Sequence, residues 1–325
     1  MQYRQLGRTG ITVSEVGFGA WGIGGAMWQG GDDDAALAAL AAALDAGCTF
    51  IDTALAYGNG HSERLIAKAL AGRTEQVAVA SKIPPKNQVW PAKPGTPLSA
   101  AFPADWVRKC AERSAKNLRR PLDLLQLHVW RDDWLEAPEW PQVEKTLHQL
   151  IAAGAMRHVG ISINDHEPRT ALEAVRHLDL VSVVQVIFNV FDQSPAEALF
   201  GACRERKVGV IARVPFDEGG LTGKIVPDVT FPPDDWRRGY FKDDRPVQVA
   251  ARVARLQPVL LRESGTLAEG ALRFCLSHPD VSTVIPGMRT TAHARENCGV
   301  SDGHLLSAGL LAELKAHAWA RNFYD

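Results

Sequence analysis

Eight short apolar runs, each followed by a helix-like stretch, set the tightest limit on what this chain can fold into. They are Val16–Gly19, Thr49–Asp52, Val77–Lys82, Leu124–His128, His158–Ser162, Val183–Phe188, Val208–Val214 and Ser282–Pro286. Each is rich in β-branched residues or leucine and mostly uninterrupted by charge, which suits a strand buried on both faces of a parallel sheet. The stretches between them are amphipathic or alanine-rich. Several close on a glycine just before the next run, as at Leu44-Asp45-Ala46-Gly47 and Ile151-Ala152-Ala153-Gly154, where a left-handed residue ends a helix. Strand and helix alternating in this way predict an α/β chain folded as a (β/α)8 TIM barrel. A doubly wound sheet is the structural alternative, but eight parallel units in one chain fit barrel closure better. No linker divides residues 1–325, so one domain is expected.

Two pieces stand outside the repeat, and a third interrupts it. Tyr3–Leu6, a turn over Gly7–Gly10 and Ile11–Val13 read as an N-terminal β-hairpin placed to plug the bottom of the barrel. Residues 217–247, rich in Gly, Pro, Asp and Arg, read as a long loop after the seventh run. Residues 84–103, with Trp90, form a second irregular stretch after the third run.

The 325 residues are 46% hydrophobic and 22% charged, ample for a large core. A net charge of −1 gives no reason to expect nucleic acid or a membrane surface as partner. The opening MQYRQLGRTG lacks the apolar stretch of a secretory signal, and the most apolar helix, Ala35–Ala46, is too short to span a bilayer. The five cysteines, Cys48, Cys110, Cys203, Cys275 and Cys298, are odd in number and scattered. They predict neither disulfides nor a zinc knuckle, and a reduced, cytoplasmic setting. No oligomeric state is read from one sequence.

Gly17-Phe18-Gly19-Ala20-Trp21-Gly22 spells G-x-G-x-x-G. A Rossmann turn leads straight into a helix and meets an acid about 20 residues on. Here Gly24, Gly25, Gly30 and Gly31 intervene, the helix start reads at Asp32-Asp33-Asp34, and the acid ending the next run, Asp52, comes too late. The fingerprint is a decoy.

Barrel enzymes place their chemistry at the C-terminal ends of strands. The second run ends in Asp52, with Tyr57 five residues on; the third ends in Lys82 and the fourth in His128. Polar residues at three adjacent strand exits can converge on one site. A lysine ammonium beside a tyrosine favours the phenolate, so Lys82 is expected to lower the Tyr57 pKa toward neutrality. Asp52 supplies the counter-ion that a buried lysine needs. His128 can hydrogen-bond and orient a substrate oxygen. Such a set suits protonation of a carbonyl oxygen as hydride arrives at carbon.

In these features the chain resembles the aldo-keto reductase family over nearly its whole length. The carrying motifs are GFGAW at 17–21, FIDTALAY at 50–57, GNGHSE at 58–63, VASK at 79–82, DLLQLH at 123–128, GIS at 160–162, Gln185, LTGK at 221–224 and IPGMRTTAHAREN at 285–297. The resemblance implies a (β/α)8 barrel holding extended NADPH (NADP+) without a Rossmann fold. It implies Tyr57 as general acid, Asp52 and Lys82 as its tuning pair, and His128 as the group that orients a small-molecule carbonyl substrate. It places Trp21 at the wall of the substrate pocket beside the cofactor. Trp130, two residues after His128, is a further pocket-wall candidate.

On the cofactor side, the resemblance assigns Ser162 and Gln185 to the nicotinamide carboxamide. The family often has asparagine directly after that serine; here Ile163 follows and the asparagine is Asn164. Arg213 stands where the family often stacks a tyrosine on the nicotinamide, which marks an atypical, bacterial-type member. A planar guanidinium can stack on a ring, or meet a pyrophosphate or a substrate carboxylate. Pro215, Leu221, Gly223 and Lys224 fall on the loop toward the pyrophosphate. Gly287, Arg289, His293, Glu296 and Asn297 match the adenosine side. Arg289 suits a 2′-phosphate and favours NADPH over NADH.

Other readings compete. One is a nicotinamide-binding regulatory protein with little turnover; another is an NAD(P)-dependent sugar or alcohol dehydrogenase working oxidatively. A Schiff-base lyase on Lys82 is disfavoured by the adjacent Asp52. A metal centre is not expected, since no His-x-His or clustered carboxylates fall at the strand ends. The tryptophans Trp28 and Trp90 read as loop or core packing, and His61, His158, His166 and His177 as surface or capping residues.

Overall fold

The computed structural model describes residues 1–25 and 31–320; Trp28 and Gly30 fall outside the described residues. An antiparallel hairpin, β1 (Tyr3–Gln5) and β2 (Thr12–Ser14), precedes the repeat. The repeat strands are β3 (Phe18–Gly19), β4 (Phe50–Asp52), β5 (Ala78–Ile83), β6 (Leu122–Leu127), β7 (Met156–Ser162), β8 (Val181–Ile187), β9 (Gly209–Arg213) and β10 (Val281–Val284). They lie parallel, each beside its chain neighbours, from β3 to β10. Parallel bridges join Val16 to Val284 and Gly19 to Gly287, bringing the last strand back to the first. The result is a (β/α)8 barrel with an N-terminal hairpin, as the apolar runs predict.

The first run forms only a two-residue strand because its other half serves the seam. The Gly17 N–H donates to the Val284 carbonyl at 2.8 Å and the Gly19 N–H to the Pro286 carbonyl at 3.0 Å. A Cβ on Gly19 would lie 2.6 Å from the Ile285 oxygen and 2.8 Å from that of Pro286. That glycine is required by the closing seam. The chain then makes one 3₁₀ turn, Trp21–Ile23, and the next helix starts at Asp33, capped by the Asp32 carboxylate. Among the described residues, the G-x-G-x-x-G stretch therefore leads into no phosphate-binding helix.

Two apolar layers form the core. The barrel interior holds Phe50, Ala78, Ala80, Leu124, Val183, Ile211 and Ile285 against Leu6 and Val13 of the hairpin region. The hairpin plugs the barrel as expected. Arg4 fastens it, donating to the Glu15 carboxylate and to the carbonyls of Val281 and Leu276. A larger layer fills the space between strands and helices. Gly47 and Gly154, at φ +88° and +69°, follow the helices Asp33–Asp45 and Trp140–Ala152.

The stretch 217–247 is more ordered than its composition predicts. It holds a 3₁₀ turn at Asp217–Thr222, a short helix at Arg237–Tyr240 and the start of the helix Arg245–Leu260. Pro246 sits in the first turn of that last helix, where its missing N–H costs nothing. The five cysteines are free and buried. Among the described residues no helix is long and apolar enough to cross a membrane.

Candidate active site

Strand periodicity builds the site. Phe50, Ala80, Leu124, Val183 and Ile211 face the barrel interior. Two residues further along each strand, on the same face, stand Asp52, Lys82, Gln126, Gln185 and Arg213. Continuing the period, His128 follows Gln126 just beyond β6. A polar layer thus caps the apolar floor at the C-terminal mouth.

Lys82 is fully buried and Asp52 nearly so. The Lys82 ammonium donates to Asp52 Oδ1, to the Thr53 carbonyl at 2.9 Å and to the Tyr57 hydroxyl oxygen at 3.3 Å. An ammonium has three N–H groups, and these contacts use all three. The Tyr57 oxygen accepts from Lys82, leaving its own O–H to point elsewhere. The other Asp52 oxygen, Oδ2, accepts from Gln185 Nε2 at 2.7 Å and Gln126 Nε2 at 3.2 Å. The Tyr57 and His128 rings stand edge to face, centroids 5.8 Å apart. The four residues expected to converge do so.

The acidity of Tyr57 departs from expectation. Burial pushes the phenol above its usual value, and Asp52 adds to the rise; the Lys82 ammonium pulls the other way and is outweighed. The expected shift toward neutrality omits this desolvation, which penalises the phenolate. Tyr57 is held protonated. Burial, with help from Lys82 and Arg213, holds His128 well below its usual range, so its imidazole is neutral. His128 Nδ1 is buried without a protein partner.

Three tryptophans surround this pair. Trp21 stacks near Tyr57 at 6.2 Å, Trp90 meets His128 edge-on at 5.9 Å, and Trp236 meets Trp21 edge-on at 5.1 Å. Trp130 does not join them. It is fully buried in the layer outside the strands, packed on Trp134 and Trp140, with its Nε1 donating to Asp132. β6 ends at Leu127, so the strand period that would have turned Trp130 toward the pocket no longer applies. Trp90, first read as packing, is the ring against His128. Trp236 lies in the Gly/Pro-rich stretch, where no periodicity singles it out.

On the opposite rim, Ser162 pairs in register with Gln185, and both are buried. Asn164 is committed elsewhere: its amide exchanges hydrogen bonds with both backbone groups of Ala92 and reaches Glu167. Arg213 donates to the Ile163 carbonyl at 2.9 Å and pairs with Asp165. Val214 follows at φ +56°, a strained conformation for a β-branched residue, and turns the chain sharply away from β9.

Pro215 and Leu221 are buried, whereas Gly223 and Lys224 are exposed. Gly287 is exposed, and the Arg289 stem lies over Gly22, where a Cβ would stand 3.0 Å from it. The Thr290 side chain caps the helix Thr291–Gly299 by accepting from the His293 N–H at 3.2 Å. His293 is half-buried, Glu296 exposed and Asn297 buried.

Two further groups escape the sequence. The His166 side chain is largely covered, with Nδ1 2.7 Å from Asp192, and is neither a surface nor a capping residue. Asp217 pairs with Arg245 and accepts from the Tyr240 hydroxyl beneath the 217–247 stretch. Among the described residues no group of His, Cys, Asp or Glu could hold a metal ion.

Comparisons with known proteins agree with this architecture. A model described as the aldo/keto reductase family matches residues 15–318. The chain is 31% identical to aldo-keto reductase YhdN of Bacillus subtilis, covering 89% of this chain and 85% of that protein. It is 25% identical to the NADH-specific methylglyoxal reductase of Escherichia coli, covering 93% and 94%. The glycerol dehydrogenase AKR11B4 from Gluconobacter oxydans superposes with a TM-score of 0.79 at 25% identity, covering 97% and 94%.

Proposed function

Since this chain belongs to the aldo/keto reductase family and is an oxidoreductase, we propose that it reduces aldehydes or ketones to alcohols with NADPH, using Tyr57 as general acid. The observation that carries this reading is the hydrogen-bonding of Lys82. All three of its protons are spent on Asp52, Thr53 and the Tyr57 oxygen, so the remaining Tyr57 proton faces away from the lysine.

The residues at the mouth fit a dinucleotide. Lys224 and Arg289 offer cations on exposed or half-buried loops, and the capped helix Thr291–Gly299 offers backbone N–H groups and a favourable dipole. Ser162 and Gln185 would hold the carboxamide, with Arg213 beside the ring. Trp21, Pro215, Leu221, Gly223, Gly287, His293, Glu296 and Asn297 would complete the contact. When bound, the nicotinamide supplies a hydride to the substrate carbon.

The chain's own residues do the rest. The neutral His128 imidazole donates a hydrogen bond to the carbonyl oxygen and orients it. Tyr57 holds its proton through the neutral range and gives it to that oxygen as negative charge builds there. Lys82 steadies the resulting phenolate, and Asp52 balances Lys82. Trp21, Trp90 and Trp236 exclude water from the reacting oxygen. A phenol kept protonated favours reduction over the oxidative direction. The same geometry disfavours a Schiff base, because a nucleophilic amine would have to shed a proton that Asp52, Thr53 and Tyr57 all engage.

Preference for NADPH rests on Arg289. NADH and NADPH are compared as reductants of an activated aromatic aldehyde, in wild type and Arg289→Ala. Wild type favours NADPH, and the variant loses roughly tenfold in kcat/KM with NADPH but little with NADH. An unchanged NADPH/NADH ratio in the variant would remove Arg289 from the assignment.

A further inference from the structure

The Asp52–Lys82 pair stands on a second pair of side chains. Gln126 sits on β6 beside Lys82 of β5 and Gly160 of β7. Its Nε2 donates to Asp52 Oδ2, and its Oε1 accepts from Gln185 Nε2 at 3.4 Å. Gln185 Nε2 also donates to Asp52 Oδ2. Both amides are buried in the barrel. A carboxylate accepts and cannot donate, so both amides must turn their NH2 groups toward it. The barrel makes room for this. A Cβ on Gly160 would stand 3.0 Å from the Gln126 Cγ and 3.0 Å from the Val183 oxygen.

We propose that Gln126 is a positioning residue for proton transfer: with Gln185 it saturates one Asp52 oxygen, so that Asp52 remains an anion and the shared proton stays on Lys82. The proposal rests on the reading of Tyr57 as the acid. Its logic is local. Lys82 and Asp52 act on Tyr57 with opposite signs, the lysine more strongly. An ionised pair therefore eases loss of the Tyr57 proton, and a neutralised pair does not. Without the Gln126 amide, Asp52 Oδ2 keeps only the Gln185 donor, and the anion that faces Lys82 is less well hydrogen-bonded.

Among the described residues, the charged or titratable groups of this layer are Asp52 from β4, Tyr57 from the loop after it, Lys82 from β5, His128 beyond β6 and Arg213 from β9, the last paired with Asp165. β7 and β8 contribute the uncharged Ser162 and Gln185. Loss of Gln126 should therefore act through Lys82 and Tyr57. Both directions pass through the same transfer of the Tyr57 proton, so the effect should show in both rates and in their pH dependence.

The test uses Gln126→Met and Gln126→Glu. Oxidation of an aromatic alcohol with NADP+ and reduction of its aldehyde with NADPH are followed against pH. In Gln126→Met, oxidation at pH 8 falls about tenfold or more, and the rise of oxidation moves up by about one pH unit. In Gln126→Glu, a protonated carboxyl replaces the amide as donor at low pH and ionises as pH rises. Reduction is therefore kept at pH 6 and lost at higher pH, and this arm carries the test if Gln126→Met does not fold. Unmoved pH profiles in both directions would overturn the proposal. If wild type turns over neither substrate, the reading of function fails on its own. The ultraviolet titration of the Tyr57 phenol, taken as the difference from Tyr57→Phe, then still decides: it moves up in Gln126→Met, or it stays and the proposal falls.

Discussion

Two buried ion pairs in this barrel are built to different standards. In Asp52–Lys82 each ammonium proton has an acceptor, and each carboxylate oxygen has a donor. In Asp217–Arg245 the guanidinium reaches Asp217 and Tyr240 through Nη2, while Nε and Nη1 are buried without partners. Arg245 lies instead over the faces of Tyr240 and Trp319. The first pair joins two adjacent parallel strands, whose register fixes the distance between side chains. The second joins a 3₁₀ turn to the helix that follows it 28 residues later. Rigid strands set the atoms of the candidate site, whereas a looser pair suffices to fasten the stretch that carries Trp236.

The largest difference is expected when each cation is removed. Lys82→Met leaves Asp52 buried with its counter-ion gone and costs on the order of 3–5 kcal/mol. Arg245→Met costs less, about 1–3 kcal/mol, because burial already raises the Asp217 pKa and makes protonation there easier. Urea denaturation of the two variants checks this. A larger loss for Arg245→Met would break the comparison.

Gly160→Ala sharpens it next. The added methyl crowds Gln126 and the Val183 carbonyl. A stability loss of about 1–3 kcal/mol is expected, with a fall in turnover beyond that of a substitution of equal cost outside the polar layer. Thermal melts beside steady-state rates separate the two effects.

The last effect is one of pH on the second region. Burial, with Asp217 and Asp165 nearby, pushes the Glu218 carboxyl up to about 8 from an ordinary 4.5. A raised folded-state value means that its contribution is fully present below 4.5 and is lost as pH rises through about 8. Glu218→Gln removes that loss. Its Tm should exceed that of wild type by a margin that grows from pH 5 to pH 9. A margin that stays constant over that range would show that Glu218 titrates as an ordinary surface acid.

The same contrast explains what could be read in advance. The strands were legible because parallel strands buried on both faces are apolar along their length, and polar residues at their ends then stand out. Asp52, Lys82 and His128 were found in that way. Gln126 was not: inside Leu124-Leu125-Gln126-Leu127-His128 it reads as an interruption of a strand, and its partner Asp52 lies 74 residues away. Trp130 was misplaced because β6 ends before the period reaches it. The Tyr57 pKa was misjudged because the neighbouring charge is visible in sequence and the desolvation is not. Arg245 and Trp236 sit in a stretch whose Gly, Pro and charge content hides its helices.

The most direct measurement is the steady-state oxidation of NADPH with an activated aromatic aldehyde, wild type beside Tyr57→Phe. Loss of the phenol should lower kcat/KM by at least about a hundredfold while NADPH binding, followed by fluorescence, is retained. Equal activity in the two proteins would contradict the assignment of Tyr57 as the acid.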